Sequence, residues 1–176
     1  MPNLLPFRDY DEKDVLNLFA FSGSLPATKG TLVKIQAGWK ATDEMSMLGD
    51  VGASFANTVS QRYGVAAQVA VTTTGDTPLG MLLWDIRETD ENGELLKFNP
   101  RKAAEMQVVL SGQAVPIVTR GTFLYSGVGG TPAAGGTAYA GANGTITASS
   151  AGSAVAIGKF LGAKDANDNV TVRINL

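Results

Sequence analysis

Glycine spacing is the feature that most narrows what this chain can become. Twenty-one of its 176 residues are glycine, concentrated after Gly112, where they separate short runs of Val, Thr, Ile and Ala. A long helix does not survive such spacing, because each interior glycine costs about 1 kcal/mol relative to alanine. β-Branched residues between turn formers suit a pleated sheet instead. The expected fold is all-β, mainly β with one short helix: a small β-barrel or sandwich of short antiparallel strands with an extended N-terminal arm.

The runs can be placed one by one. Val15 to Phe21 has little polar surface on either face of an extended chain and reads as a buried strand. Ser22-Gly23-Ser24 and Pro26 break it, and Thr31-Leu32-Val33-Lys34-Ile35 reads as the next strand. Residues 39–63 lack a clear period and read as irregular, with room for a short helix. Val65 to Thr74, and Leu79 to Ile86 behind Pro78, read as two further strands. Asp90-Glu91-Asn92-Gly93 predicts a tight hairpin turn, since Asn-Gly accepts the positive φ angles such a turn needs. Asn99-Pro100-Arg101-Lys102-Ala103-Ala104-Glu105-Met106 combines a capping side chain, proline at the first helical position and good helix formers, which predicts a short helix over 99–106.

Behind that helix, Gln107 to Leu110, Ala114 to Val118 and Thr122 to Tyr125 read as consecutive short strands. Residues 128–136 contain Gly129-Gly130, Pro132 and Gly135-Gly136 and predict an exposed Gly-rich loop. Ala138 to Ala140 and Thr145 to Thr147 flank a second Asn-Gly pair, Asn143-Gly144. Val155 to Leu161 and Val170 to Leu176 flank the polar turn Asp165 to Asn169 in the same way.

The length fits one domain. Residues 1–12 carry two prolines and no period, so they read as an extended arm, leaving 13–176 as a single mainly-β domain. Leu4, Leu5, Phe7 and Tyr10 would be costly to expose together, so they either dock on their own domain or bury against a partner. With Arg8 they form the candidate partner-binding set.

Candidate chemistry is thin. No histidine is present, so Ser-His-Asp and Cys-His machinery cannot be assembled, and no cysteine is present to form disulfides or thiolate metal sites. Asp85 and Glu88 beside Trp84 could serve a carboxylate-only glycoside hydrolase. The blander reading is a solvated strand end beside a core tryptophan. Asp165, Asn167 and Asn169 imitate the opening of a calcium loop, but Val170 and Leu176 stand where glycine and glutamate belong, so a polar turn is favoured. Gly127-Val128-Gly129-Gly130 lacks the spacing of a phosphate-binding loop. Asn143-Gly144-Thr145 and Asn169-Val170-Thr171 match the glycosylation sequon, which turn chemistry explains equally well. No catalytic, cofactor-binding or metal-binding residue is assigned.

Charged residues make up only 17% of the chain against 44% hydrophobic, which suits a globular protein. A net charge of −2 without a dense basic run argues against nucleic-acid binding. No apolar run approaches the ~20 residues that span a bilayer, so no membrane partner is expected. The first residues lack the cationic start and apolar core of a signal peptide, which suggests synthesis in the cytoplasm.

Three phrases carry a family resemblance. Ala156-Ile157-Gly158-Lys159-Phe160-Leu161, a polar turn and Val170-Thr171-Val172-Arg173-Ile174 resemble the ending of tailed-phage head-decoration (capsid cement) proteins. Lys29-Gly30-Thr31-Leu32-Val33-Lys34-Ile35 resembles their first barrel strand, and Leu79 to Asp85 with Asn99 to Glu105 resemble proteins encoded beside capsid genes. The resemblance implies a non-enzymatic virion protein, made in the host cytoplasm, that binds the major capsid protein on the outer surface of the capsid. It implies stabilisation by clamping adjacent capsomers, commonly as a homotrimer, with a dimer left open and no cofactor. The rival readings are a tail or fibre-associated carbohydrate-binding (adhesin) module presenting Trp39, Trp84 and Tyr139, and an enzyme using carboxylates alone.

Overall fold

The computed structural model describes residues 3–38, 67–152 and 154–176. The chain runs through β1 (Asn3–Asp9), β2 (Val15–Leu16), β3 (Ala20–Phe21), β4 (Leu32–Ala37), β5 (Gln68–Val71), β6 (Gly80–Leu82) and β7 (Asp85–Ile86). After the helix α1 (Pro100–Glu105) come β8 (Val108–Val109), β9 (Ile117–Val118), β10 (Arg120–Ser126), β11 (Thr137–Ala140), β12 (Ile146–Thr147), β13 (Ala156–Phe160) and β14 (Asn169–Asn175). One six-stranded sheet has the order β1-β10-β14-β13-β11-β12, a second has the order β2-β9-β6-β4-β5-β3, and β7 pairs with β8 in a small third sheet. The fold is all-β and sandwich-like, with no closed barrel among the described residues.

The two large sheets differ in pattern because they differ in burial. In the first sheet, Val170, Val172 and Ile174 point into the core while Arg173 and Asn175 are exposed, the alternation of a sheet with one wet face. The second sheet reads as continuous apolar pairs, Leu32-Val33, Met81-Leu82 and Ile117-Val118, because both of its faces are covered. Leu32, Met81 and Val118 pack with Leu4, Phe123, Tyr125 and Phe160 in one cluster. Val33, Leu82 and Ile117 pack with Phe19, Phe21, Val69 and Ile86 in another.

The run Val15 to Phe21 is not one strand. It splits into β2, paired with β9, and β3, paired with β5, at opposite edges of the second sheet. Leu16 and Ala20 are four residues apart, a stretch that spans about 14 Å at most. Six flat strands would separate those edges by roughly 24 Å. The second sheet is therefore rolled: its edges come together, with Ala20 bridged to Ala114 and Val115 N donating to Phe19 O at 2.9 Å just ahead of β9, and the Phe19 and Phe21 cluster packs inside.

Other expectations hold locally with changed bounds. Leu79 to Ile86 becomes β6 and β7, the chain leaving the second sheet at Leu83-Trp84. The helix forms as expected, with the Asn99 side chain accepting from Lys102 N at 3.3 Å and Pro100 in the first turn. The Asp90 to Gly93 turn closes a minimal hairpin, a single bridge between Thr89 and Leu95. Asn143 and Gly144 take φ of 55° and 69° between β11 and β12. The 128–136 loop is mostly exposed, but Val128 is buried and Gly129 bridges to Thr147. Residues 39–63 lie outside the described residues.

Candidate functional site

The segment read as an arm is, over Asn3–Asp9, an edge strand of the first sheet. Asn3 and Leu4 stand opposite Ser126 and Tyr125, whereas Arg8 and Asp9 stand opposite Phe123 and Thr122, so β1 bulges between Leu4 and Arg8. Pro6 sits in that bulge, where its missing N–H removes no ladder bond. The bulge divides the candidate residues by role. Leu4 is 1% exposed and belongs to the core, whereas Phe7 is 55% exposed.

Leu4 lies where the sheets meet most tightly. Tyr125 donates its hydroxyl to Gly30 O at 3.1 Å, and burial raises the phenol's pKa above its ordinary value. Gly30 holds φ of +89°, and a Cβ there would lie 3.1 Å from Leu4 N and from the Tyr125 ring, so the backbone comes close because no side chain intervenes. Arg8 donates from Nε to Leu5 O and from Nη1 to Leu83 O, both at 3.3 Å, which ties the bulge to the chain leaving the second sheet. Tyr10 stacks on Phe123 with centroids 6.1 Å apart. Thus Leu4 and Arg8 fasten β1 to its own domain, while Leu5 is half-buried and Phe7 and Tyr10 are exposed.

A second exposed group was not singled out from the sequence. Phe98 is 73% exposed at the end of a 3-10 turn, Leu96–Phe98, whose first residue is buried. Lys97 Nζ lies 5.1 Å from the Phe98 ring centroid. The turn is braced from both sides. Asp90 Oδ1 accepts from Asn92 N and Glu94 N at 2.8 Å each, Oδ2 pairs with Lys102 Nζ, and Lys102 also reaches Glu94 Oε2 at 3.3 Å. The Lys102 ammonium holds the Asp90 carboxyl below its usual range and is itself raised by that carboxylate. The only sequence signal was apolar Leu95, Leu96 and Phe98 within a polar stretch, which does not say which side chain faces out.

Asp85 and Asp165 serve the fold. Asp85 Oδ1 accepts from Lys29 N at 2.8 Å, Trp84 is half-buried against both large clusters, and Glu88 is exposed. Asp165 Oδ1 accepts from Asn167 N and Asn169 N at 2.8 Å each, and Oδ2 from Asn169 Nδ2 at 3.2 Å. These donors, the Asn169 amide foremost, lower its pKa. Val170 behind it is core. No group of three or more metal-ligating side chains gathers among the described residues. Of the aromatics proposed for sugar stacking, Tyr139 and Trp84 are half-buried, and Trp39 lies outside the described residues.

The residues from Phe19 at the head of β3 to Asn175 at the end of β14, residues 19–175, match the family described as structural cement protein (E217 gp24/Pam3 gp6). The chain belongs to this phage cement family. No curated protein and no solved structure matches it. Cement proteins are structural, capsid-stabilising components of the virion, a role that implies no catalysis. The match leaves out β1 and β2, although in this cement protein they form edges of the two large sheets.

Proposed function

We propose that this cement protein binds the outer surface of the phage capsid, contacts the major capsid protein and stabilises the shell by clamping adjacent capsomers. The observation that carries the reading is the family match across residues 19–175. Leu5, Phe7 and Tyr10 supply contacts along β1, and Leu4 and Arg8 hold the strand that presents them. Self-association as a homotrimer, with a dimer as the other closed arrangement, lets each copy reach more than one capsomer. Ligands that bind only the expanded shell stabilise it by mass action, and linked contacts raise avidity beyond that of one site.

The test is to add purified protein to undecorated expanded shells, image them by cryo-EM and measure the temperature at which they rupture. Outer-surface density bridging capsomers and a higher rupture temperature are expected. Bare shells that rupture at an unchanged temperature would overturn this reading, and density on the tail in images of the whole virion would replace it with the carbohydrate-binding adhesin.

A further inference from the structure

The most exposed large apolar side chain among those described is Phe98, on a knob built to keep it in place. Leu96, Ala103 and Val108 form a separate small cluster beneath it. The Asn99 cap starts α1 directly behind the ring, and the Asp90, Glu94 and Lys102 network fixes the preceding turn against the helix. An exposed aromatic gains nothing for an isolated domain, and fixing its backbone costs conformational entropy. Rigid aromatic side chains of this kind supply much of the binding energy where one protein enters a pocket of another.

The neighbours specify the pocket. Leu95 is also exposed, and Lys97 lies over the Phe98 ring with no carboxylate partner among the described residues. Arg101, on the first turn of α1, is already paired with Glu105. An occupant must therefore offer an apolar hollow for Phe98 and a carboxylate at its rim for Lys97. This chain has an apolar hollow lined by Ile35, Pro78 and Leu79, but its one carboxylate, Asp76, already accepts from Lys34 Nζ, Thr73 N and Thr73 Oγ. These bonds all fall on Asp76 Oδ2, and Asp9, Asp11 and Asp14 line a further hollow, so a second copy is the rival occupant; the match to the phage cement family favours a shell subunit.

We propose that Phe98, flanked by Leu95 and Lys97, is an aromatic anchor that inserts into an apolar, acid-rimmed pocket on a shell subunit. The proposal rests on the cement reading and names a contact surface for it away from β1. The test measures binding of full-length wild type, Phe98→Ala and Lys97→Glu to undecorated expanded shells by co-sedimentation at two salt concentrations, with self-association followed by analytical ultracentrifugation. Because both side chains are exposed, melting temperatures should match wild type.

The expected result is about thirtyfold weaker shell binding for Phe98→Ala, the loss typical of a buried aromatic anchor. Lys97→Glu should bind more weakly and lose most of the salt dependence. Wild-type-like binding by Phe98→Ala overturns the anchor while leaving the cement reading intact. Loss of self-association with shell affinity per copy unchanged overturns the shell subunit as occupant in favour of a second copy. Failure of the wild type itself to bind shells overturns the cement reading, and the anchor with it.

Discussion

Substituting Leu4 by alanine separates a strand of the domain from an arm that lies on it. Leu4 is 1% exposed and packs with Phe123, Tyr125 and Leu32 where the two large sheets meet. Truncating a fully buried leucine removes transfer free energy and leaves a cavity, at a cost of about 3 kcal/mol in a site that cannot relax completely. Here relaxation is limited, because Gly30 and the Tyr125 ring already close on the Leu4 backbone. In a domain of this size 1 kcal/mol lowers Tm by roughly 2–4 °C, so the shift should be roughly 6–12 °C. Phe7→Ala is the control. Its ring is 55% exposed on the bulge, and the change should stay within about 0.5 kcal/mol. Calorimetry and urea unfolding of the free protein would measure both. If Leu4→Ala melted within about 2 °C of wild type, β1 would be detached in solution and the cohesion argued for this strand would be wrong.

Two further expectations concern stability. A Cβ on Gly158 would lie 1.9 Å from Arg173 O across the β13–β14 ladder, so Gly158→Ala must push these central strands apart. Urea unfolding should show a loss of about 3 kcal/mol, and an unchanged midpoint would refute the close approach. Asp76 is held down to about 2 by Lys34 and Thr73, and Asp90 and Asp165 are lowered by Lys102 and by turn amides. A carboxylate with a folded pKa below its unfolded value of about 4 contributes stability above that value and loses it as the pH falls through the folded pKa. Tm should therefore fall from pH 4 toward pH 2. With no histidine in the chain, it should stay level between pH 5 and 8, and a transition there would count against this assignment.

The sequence alone was enough for features that depend on a few adjacent residues. Asn99-Pro100 started a helix because a side-chain acceptor and a preset φ act within one turn. Asn143-Gly144 turned a hairpin because both residues tolerate positive φ. The family resemblance was legible for the same reason: its phrases are short and contiguous, and the cement family match covers all of them. The candidate site was only half legible. The apolarity of Leu4, Leu5, Phe7 and Tyr10 singled out the segment, but which of them faced inward could not be read from it.

What remained was decided by contacts between residues far apart in the chain. Val15 to Phe21 looked like one strand, yet its two halves pair with Val118 and Val69, on opposite edges of a sheet that has to roll to receive them. Asn3–Asp9 became a strand because β10, more than a hundred residues later, offers it an edge with Tyr125 and Phe123 to cover. Phe98 is exposed because Leu96 takes the buried place beside Ala103 and Val108. Local conformational preference acts within one turn of chain, so composition determined an all-β, glycine-punctuated protein. Burial depends on which surfaces meet in three dimensions, so the tertiary structure alone decided which apolar side chains hold this cement protein together and which stay exposed.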